Sequence, residues 1–398
     1  MDNTAGDAGR SARGRPLLLL GIVIAITMSL AGGATGEGGP PPAKAPPEKP
    51  LFTLAHLSDL HCVTTKANRG KRPERKLRYV FGAKVEHWKD LVNSFDVLAG
   101  TVDYLNEEIK PDLVVITGDL TDRGRPLSDM KRVKSVLDGL ECPYHPVMGD
   151  HDLGKSVAAF EKDRNDNSWV KVFGRRCTSF DIKGWHFSVV GIYPGDEEIR
   201  WLEKDLDANA TKPTVICTHR LVYCPDIIRR SAKRSVNVEL LMPRAEEVMK
   251  IIAARPSVVL VLSGHCHVNL QLRAPGMETA FLTTEALGEI PHEFRIIRFF
   301  ADRAEMEFRV GGTIEKIRKG LWTKKENIGA DLLTRPLTAL AKANLEKAEA
   351  LLESARKLEK AGKRRQAMDA CRRLIRTFPG TEPAAAAAKR LARLLSGS

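Results

Sequence analysis

Short apolar runs alternate with amphipathic stretches between residues 51 and 262, and this alternation predicts strands separated by helices. We predict strands at 51–57, 113–116, 144–147, 185–192, 215–218 and 258–262, and helices at 88–109, 131–140, 197–207 and 244–254. The order predicts βαβ units, and continuously apolar runs such as 113–116 are typical of sheets covered on both faces. Residues 279–310 alternate apolar and polar positions and are predicted as the closing strands of a second, more antiparallel sheet.

The C-terminal stretch at 336–398 is rich in Ala, Lys, Arg and Leu and is predicted to be helical. Its apolar positions fit one tetratricopeptide-type helix pair with an Ala-Gly turn; they are Leu351, Ala355, Leu358, Ala367, Cys371, Leu374 and Pro379. A single unit of this type cannot bury its apolar face alone. We therefore predict that it packs on the preceding domain, on a helix within 336–346, or on a protein partner.

The N-terminus has the composition of a targeting segment. Arg10, Arg13 and Arg15 precede an apolar run at 16–31, and small residues follow at 32–34. This order is typical of a secretory signal, and the run is shorter than the roughly 20 residues of a membrane span. Cleavage as a signal peptide and retention as a membrane tether both stay open. Either outcome predicts an extracytoplasmic protein.

These patterns divide the chain into five segments. They are a signal peptide or N-terminal anchor at 1–34, a Pro-rich linker at 35–50, a sheet domain at 51–310, a connector at 311–335 and a helical tail at 336–398. A linker of this composition is a partly extended spacer.

The net charge of +13 is concentrated near the C-terminus, where residues 311–398 carry 20 of the 63 basic residues but only 9 of the 50 acidic residues. This surplus can attract anionic partners or simply solvate helix faces. Few aromatic residues lie among these charges, so base stacking has little support and a nucleic-acid partner is not favoured. A basic stretch at 66–84 is predicted as a long surface loop, either a rim for an anionic substrate or a plain exposed loop.

Five short blocks place carboxylates and imidazoles along the chain, and all but the third directly follow an apolar run. The blocks are Asp59-Leu60-His61, Gly118-Asp119-Leu120-Thr121-Asp122, Gly149-Asp150-His151-Asp152, His219 and Gly264-His265-Cys266-His267. A lone histidine at a strand end is commonly structural, but burial alone gives no reason for five of the ten histidines to fall in these blocks. Mixed nitrogen and oxygen ligands hold zinc, iron or manganese. The set predicts two metal ions about 4 Å apart, a clamp for phosphoryl chemistry.

This ordered set resembles the calcineurin-like metallophosphoesterase superfamily over residues 52 to about 300. The segment Ile290-Pro291-His292-Glu293-Phe294-Arg295 is similar, more weakly, to the closing segment of its cyclic-nucleotide-phosphodiesterase-like branch. The resemblance implies an α/β fold, a four-layer αββα sandwich with two central sheets, here followed by the C-terminal helical segment. It also implies hydrolysis of a phosphoester substrate with two divalent or trivalent metal ions (Mn, Fe or Zn) and no organic cofactor.

The resemblance assigns a role to each motif residue. The first metal would be held by Asp59, His61 and His267, the second by Asp150, His219 and His265, and both would be bridged by Asp119. His151 would be the catalytic histidine near the leaving-group oxygen, and Asp122 would orient its imidazole. Arg123 would help to bind phosphate, as in the phosphoprotein-phosphatase form of the second block.

Position 150 departs from the family pattern, because the chain has Asp150 where the family has asparagine. A carboxylate still binds metal, but it adds one negative charge beside an anionic substrate. Tighter metal binding with slower chemistry, a different metal preference, and binding without turnover all stay open. We predict an exported phosphoesterase that hydrolyses phosphodiesters or phosphomonoesters by attack of a metal-bridging hydroxide. The alternative is a catalytically weakened metal-binding and interaction module.

Overall fold

The computed structural model describes the chain at residues 48–64, 74–80, 83–91, 93–122, 127–153, 167–225, 240–311, 331–378 and 381–396. The predicted targeting segment at 1–34, most of the linker at 35–50, most of the connector at 311–335, and Arg123 lie outside the described residues. Within the described part of the chain, every helix is too short or too polar to cross a lipid bilayer.

Two large mixed sheets form the centre of the fold, and a small antiparallel sheet accompanies them. The strands are β1 (Phe52–Leu57), β2 (Glu74–Val80), β3 (Ala83–Lys89), β4 (Leu113–Ile116), β5 (Tyr144–Pro146), β6 (Cys177–Ile182), β7 (Trp185–Val190), β8 (Thr214–Thr218), β9 (Val258–Ser263), β10 (Leu270–Arg273), β11 (Ala280–Thr283), β12 (Glu289–Ile290), β13 (Glu293–Phe299) and β14 (Ala304–Val310). The first sheet has the order β14-β13-β1-β4-β5, with β1, β4 and β5 parallel. The second has the order β10-β11-β9-β8-β7-β6, with β7, β8, β9 and β11 parallel. The third has the order β12-β3-β2.

Helices cover the outer face of each large sheet, so the core has four layers. The helices are α1 (Ser94–Tyr104), which continues as a π-helical turn (Leu105–Ile109), α2 (Leu127–Leu137), α3 (Ser168–Phe173), α4 (Asp196–Ala208), α5 (Ala245–Ala253), α6 (Asp331–Lys360), α7 (Arg364–Thr377) and α8 (Glu382–Ser396). Along β1, Phe52 and Leu54 are buried between the sheets, whereas Ala55 and Leu57 are buried under α1 and α2. The second sheet is covered in the same way by α4 and α5. This arrangement confirms the predicted four-layer αββα sandwich with a C-terminal helical segment.

The strands β13 and β14 correct the prediction that residues 279–310 close the second sheet. They extend the first sheet instead, because β13 pairs antiparallel with β1, and β14 pairs with β13. The strand of this stretch that lies in the second sheet is β11. The physical reason is burial on both faces of β13, where Ile297 packs between the sheets and Phe294 packs under the helices. Such a strand belongs inside a sheet rather than at a closing edge.

The strands β2 and β3 show that the prediction of a long surface loop at 66–84 was wrong for its described part. They form an antiparallel hairpin in which Val80 pairs with Ala83. Strand β3 also pairs with β12. The basic sequence does not prevent a strand here, because the ladder hydrogen bonds satisfy the backbone whatever the side chains are.

The first helix begins later than the predicted span of 88–109. Trp88 belongs to β3, and α1 starts at Ser94. The carboxylate of Asp90 accepts hydrogen bonds from Asn93 N at 3.3 Å and from Asn93 Nδ2 at 3.0 Å. This local turn separates the strand from the helix, since short polar side chains compete with helical backbone bonds.

The C-terminal helices pack on the sandwich through α6. Leu340 is buried in the core between the two large sheets, and Asn344 Nδ2 donates a hydrogen bond to Thr211 O at 2.8 Å. Helices α6, α7 and α8 also share a buried cluster, which contains Leu352, Ala355, Cys371, Leu374, Ala384 and Ala387. The tail therefore packs on the sheet sandwich, one of the three predicted arrangements, and its tetratricopeptide type stays a prediction.

Candidate dinuclear metal centre

Five loops at the carboxyl ends of parallel strands carry the motif residues. In the first sheet, β1, β4 and β5 lead into the loops of Asp59, Asp119 and Asp150. In the second sheet, β8 and β9 lead into the loops of His219 and His265. Ligands of open α/β sheets bind at such strand ends, and the facing sheets bring the five loops to one place.

The first cluster comprises Asp59, His61, Asp119 and His267, whose ligand atoms lie within 4.8 Å of one another. His267 Nε2 lies 3.0 Å from Asp59 Oδ1 and 3.2 Å from His61 Nε2. The other carboxylate oxygen of Asp59 accepts a hydrogen bond from His265 N at 2.9 Å. This bond holds the carboxylate with Oδ1 facing the two imidazoles.

The second cluster comprises Asp119, His219 and His265, so Asp119 is shared by both clusters. His219 Nε2 lies 3.4 Å from Asp119 Oδ1 and 3.1 Å from His265 Nδ1. Asp150 Oδ2 adjoins this cluster, at 3.4 Å from His219 Nε2 and 3.3 Å from His265 Nδ1. The structure thus brings the seven predicted ligands together, with Asp119 in the position of a bridge.

Hydrogen bonds at Nδ1 of two imidazoles determine which ring nitrogen can serve as a metal ligand. His219 Nδ1 lies 2.7 Å from Thr117 O, and His267 Nδ1 lies 2.7 Å from Glu289 Oε1. Both oxygens are acceptors, so each Nδ1 carries a proton and each Nε2 is available as a ligand atom. Asp59 Oδ1 is buried without a hydrogen-bond donor among the described residues. Converging acceptors need positive charge between them, and this set of nitrogen and oxygen atoms fits two metal ions.

The pKa values of two ligand carboxylates are lowered, which also favours metal binding. Burial alone would raise the pKa of Asp59, but the facing imidazole of His267, with those of His219 and His61, holds it well below its ordinary value. Burial would also raise the pKa of Asp119, but the neighbouring imidazole of His219 holds it below its ordinary value. The carboxylates are therefore ionised at neutral pH, the state in which they bind metal.

Five of the seven predicted ligands have a left-handed backbone. Their φ angles are 50° at Asp59, 46° at His61, 49° at Asp119, 66° at His265 and 51° at His267. A residue other than glycine costs on the order of 1–3 kcal/mol in this region. Such conformations persist only where the surrounding structure enforces them, so their concentration at these strand ends indicates a functional site.

Two glycines permit the close approach of the ligand loops. A Cβ at Gly264 would lie 1.8 Å from Ser58 Oγ and 2.5 Å from Asp59 Oδ2. A Cβ at Gly118, whose φ is +100°, would lie 2.3 Å from His219 Nδ1. The glycines of the second and fifth blocks are therefore required by packing against ligands in other loops.

We expect Gly264→Ala to weaken metal binding by about tenfold or more, because the added methyl group displaces the carboxylate of Asp59. Calorimetric titration of the metal-free protein with Zn²⁺ measures this change. The matched control is Gly276→Ala, since Gly276 has φ +73° but a Cβ there would meet no atom within 4 Å. Equal metal affinity in the two variants would contradict the packing argument.

His151 lies at the exposed side of the first cluster. Its side chain is 41% exposed, and its ring lies 4.7 Å from the ring of His61. Its Nδ1 contacts the main-chain oxygen of Asp122, whereas the Asp122 carboxylate lies 3.7 Å from Nδ1 and pairs with Lys89 Nζ. The imidazole is therefore oriented mainly by a main-chain carbonyl and not by the predicted carboxylate. Arg123, the remaining predicted catalytic residue, lies outside the described residues.

Asp152 joins the second block to the third, a role that sequence reasoning missed. Its carboxylate accepts hydrogen bonds from Leu120 N at 3.1 Å, Thr121 N at 2.9 Å and Gly149 N at 3.0 Å. Burial and the nearby charge of Asp119 raise the pKa of Asp152 to about 7. Its position as the last residue of the third block is a signal that could have identified it.

Glu289 and Arg220 also contact predicted ligands and were not foreseen. Glu289, which is buried, holds His267 through the contact to Nδ1 at 2.7 Å. Arg220 pairs with the carboxylate of Asp150. Glu289 directly precedes the segment 290–295, so that weak resemblance could have drawn attention to it. No local signal marks Arg220, because a basic residue after a strand is ordinary.

Comparison with known proteins finds one matching family model and several similar proteins. Residues 52–269 match the sequence model of the calcineurin-like phosphoesterase family, and the match includes all five blocks. A 3′,5′-cyclic-nucleotide phosphodiesterase from Nostoc sp. is 27% identical over 276 residues, which cover 64% of this chain and 90% of that protein. A glycerophosphodiester phosphodiesterase from Enterobacter lignolyticus is 23% identical over 258 residues, which cover 60% of this chain and 79% of that protein. A solved dimetal phosphatase from Danio rerio aligns with a TM-score of 0.48 and 15% identity over 66% of this chain and 97% of that one.

Proposed function

The chain belongs to the calcineurin-like phosphoesterase family, and we propose that it is an exported phosphodiesterase that uses two metal ions. Its family and its phosphodiesterase relatives make it a metal-dependent hydrolase of phosphoric esters. The observation that carries the proposal is the pair of buried ligand clusters that share Asp119. A shared carboxylate between two ligand sets is the arrangement that a pair of closely spaced ions requires.

Each part of the site has a proposed task. One ion would be held by Asp59, His61 and His267, the other by Asp150, His219 and His265, with Asp119 shared between them. When bound, the two ions would polarise the phosphoryl oxygens and acidify a water molecule. The metals proposed are manganese, iron or zinc.

His151 has the geometry of a proton donor to the leaving group. Its Nδ1 donates to the main-chain oxygen of Asp122, so Nε2 is the nitrogen available to a substrate. The exposed imidazole can reach a leaving-group oxygen outside the buried clusters. Asp122 then holds this ring through its backbone, and its carboxylate pairs with Lys89.

Phosphodiesters are the proposed substrates because the relatives compared above are phosphodiesterases for cyclic nucleotides and for glycerophosphodiesters. Phosphomonoesters are the second candidate. The targeting pattern at 1–34 favours an ester found outside the cytoplasm, such as a lipid or envelope phosphodiester. A catalytically weakened metal-binding and interaction module is the alternative function, and the carboxylate of Asp150 is the feature that favours it.

Metal removal tests the proposed activity. We expect the purified protein to hydrolyse bis-p-nitrophenyl phosphate faster than p-nitrophenyl phosphate, to lose this activity in EDTA, and to regain it with manganese, iron or zinc. Elemental analysis should find about two ions per chain. Two bound ions without hydrolysis of either ester would support the interaction module instead, and a protein that takes up no metal would contradict both functions.

Export is tested separately. We expect the protein recovered from cells to lie outside the cytoplasm, and N-terminal sequencing of that material distinguishes cleavage near residue 34 from retention of a membrane tether. A cytoplasmic protein that retains its first residues would contradict the proposed export. A protein partner for the C-terminal helices is also proposed, because the buried cluster that α6, α7 and α8 share is separate from the core that contains Leu340.

A further inference from the structure

A cation lies beside the carboxylate that distinguishes this chain from its family. Arg220 Nε donates to Asp150 Oδ2 at 2.9 Å, and Arg220 Nη2 contacts Asp150 Oδ1. Tyr193 OH donates to Asp150 Oδ1 at 3.0 Å and accepts from Arg220 Nη2 at 2.9 Å. Arg220 is only 7% exposed. Carboxylate, guanidinium and phenol thus form one mostly buried hydrogen-bonded group.

The geometry of this group orients the carboxylate. Two-point contact with a planar guanidinium fixes the carboxylate plane, which a lysine could not do. The oxygen Asp150 Oδ2 then faces His219 Nε2 at 3.4 Å and His265 Nδ1 at 3.3 Å. Arg220 therefore determines which oxygen of Asp150 is presented to the second cluster.

The charge of the group is as important as its geometry. Asparagine at position 150 would be neutral, whereas an unpaired aspartate would repel an anionic phosphodiester and attract the second ion more strongly. The pair of Asp150 and Arg220 carries no net charge, because the two formal charges lie within hydrogen-bond distance and cancel. The replacement of asparagine by aspartate is thus compensated at another position of the same chain.

We propose that Arg220 is a positioning residue that makes Asp150 an oriented, charge-compensated metal ligand, so that the two residues together replace the asparagine of the family. Replacing both residues together should then preserve Zn²⁺ affinity and KM, whereas replacing either residue alone should change one of them. The part of this inference that concerns substrate rests on the proposed function, and the part that concerns metal binding does not.

A double-mutant cycle on the full-length chain tests the pair, with Asp150→Asn, Arg220→Met and the double variant. D150N removes the negative charge that balances the buried guanidinium beside the second cluster, so we expect Zn²⁺ affinity to fall about tenfold or more. R220M also removes the two-point contact, but it leaves the negative charge of Asp150 unbalanced and this charge attracts the cation. Zn²⁺ affinity should therefore hold or rise, while KM for bis-p-nitrophenyl phosphate rises about tenfold. The double variant should return to within about threefold of wild type in both measurements. Arg220→Lys retains the charge without the two-point contact, so it should retain KM but weaken Zn²⁺ binding.

Each other outcome has a defined meaning. If both single variants weaken Zn²⁺ binding and the double variant shows the product of their effects, Arg220 only supports the local fold and the inference is wrong. If R220M raises KM and D150N/R220M does not restore it, Arg220 contacts the substrate directly, which also overturns the inference. If wild type hydrolyses neither ester but the Zn²⁺ cycle shows the expected signs, the proposed function fails and the inference stands. Thermal unfolding of each variant confirms that folded proteins are being compared.

Discussion

Replacing Asp119 with asparagine (D119N) is expected to lower phosphodiester hydrolysis by at least about 10³-fold. Asp119 is the residue common to both ligand clusters, so the loss of its charge affects both ions at once. The amide oxygen can still accept the hydrogen bond that His151 N donates to Asp119 Oδ1 at 2.7 Å. The fold should therefore survive, and the deficit should appear as metal content that falls below about two ions per chain. Elemental analysis and kcat/KM for bis-p-nitrophenyl phosphate measure the two effects.

The control for D119N is Asp138→Asn, which changes charge in the same way at an exposed site. Asp138 pairs with Lys134 and accepts a hydrogen bond from Tyr144. Activity and metal content should be unchanged in this variant, and stability should change by no more than about 0.5 kcal/mol. A D119N protein that keeps two ions and full activity would show that the two clusters do not share a carboxylate in the functional state.

Replacing His151 with alanine (H151A) is expected to lower kcat by about 10² to 10⁴-fold while metal content stays at the wild-type value. His151 lies outside the buried ligand set, so its loss removes a proton donor and leaves the ions in place. The size of the loss should depend on the leaving group. A p-nitrophenolate leaves without protonation, so the deficit should be smaller for bis-p-nitrophenyl phosphate than for a glycerophosphodiester with an alkoxide leaving group.

The control for H151A is His145→Phe. His145 stacks on Phe180 with the ring centroids 3.5 Å apart, and phenylalanine retains that stack, so kcat should be unchanged. An equal deficit on both classes of leaving group would assign His151 to charge stabilisation instead of proton transfer. Loss of metal from H151A would instead identify His151 as part of the ligand set.

Strands with one continuous apolar run were predictable from sequence. The prediction at 113–116 has the bounds of β4 because four buried apolar residues lie between Asp112 and the polar Thr117. The site was foreseeable for a related reason. Four of the five ligand blocks directly follow such runs, so their convergence needed only the rule that parallel strands end at one edge.

Features that depend on distant pairing were not predictable. Alternation within 293–310 does not say which sheet accepts β13, because its partner β1 lies more than 200 positions away along the chain. The same limit applies to Arg220, which meets Asp150 across 70 positions. An aspartate at position 150 was visible in the sequence as a departure, but its compensation existed only in three dimensions.

Leu340 attaches the C-terminal tail to the core of the sheet sandwich. Helix α6 inserts this side chain into the core between the sheets, and the same core contains residues of β9, the strand that delivers His265 and His267. The tail therefore shares a buried core with the strands that carry the site, and removal of α6 would expose part of that core.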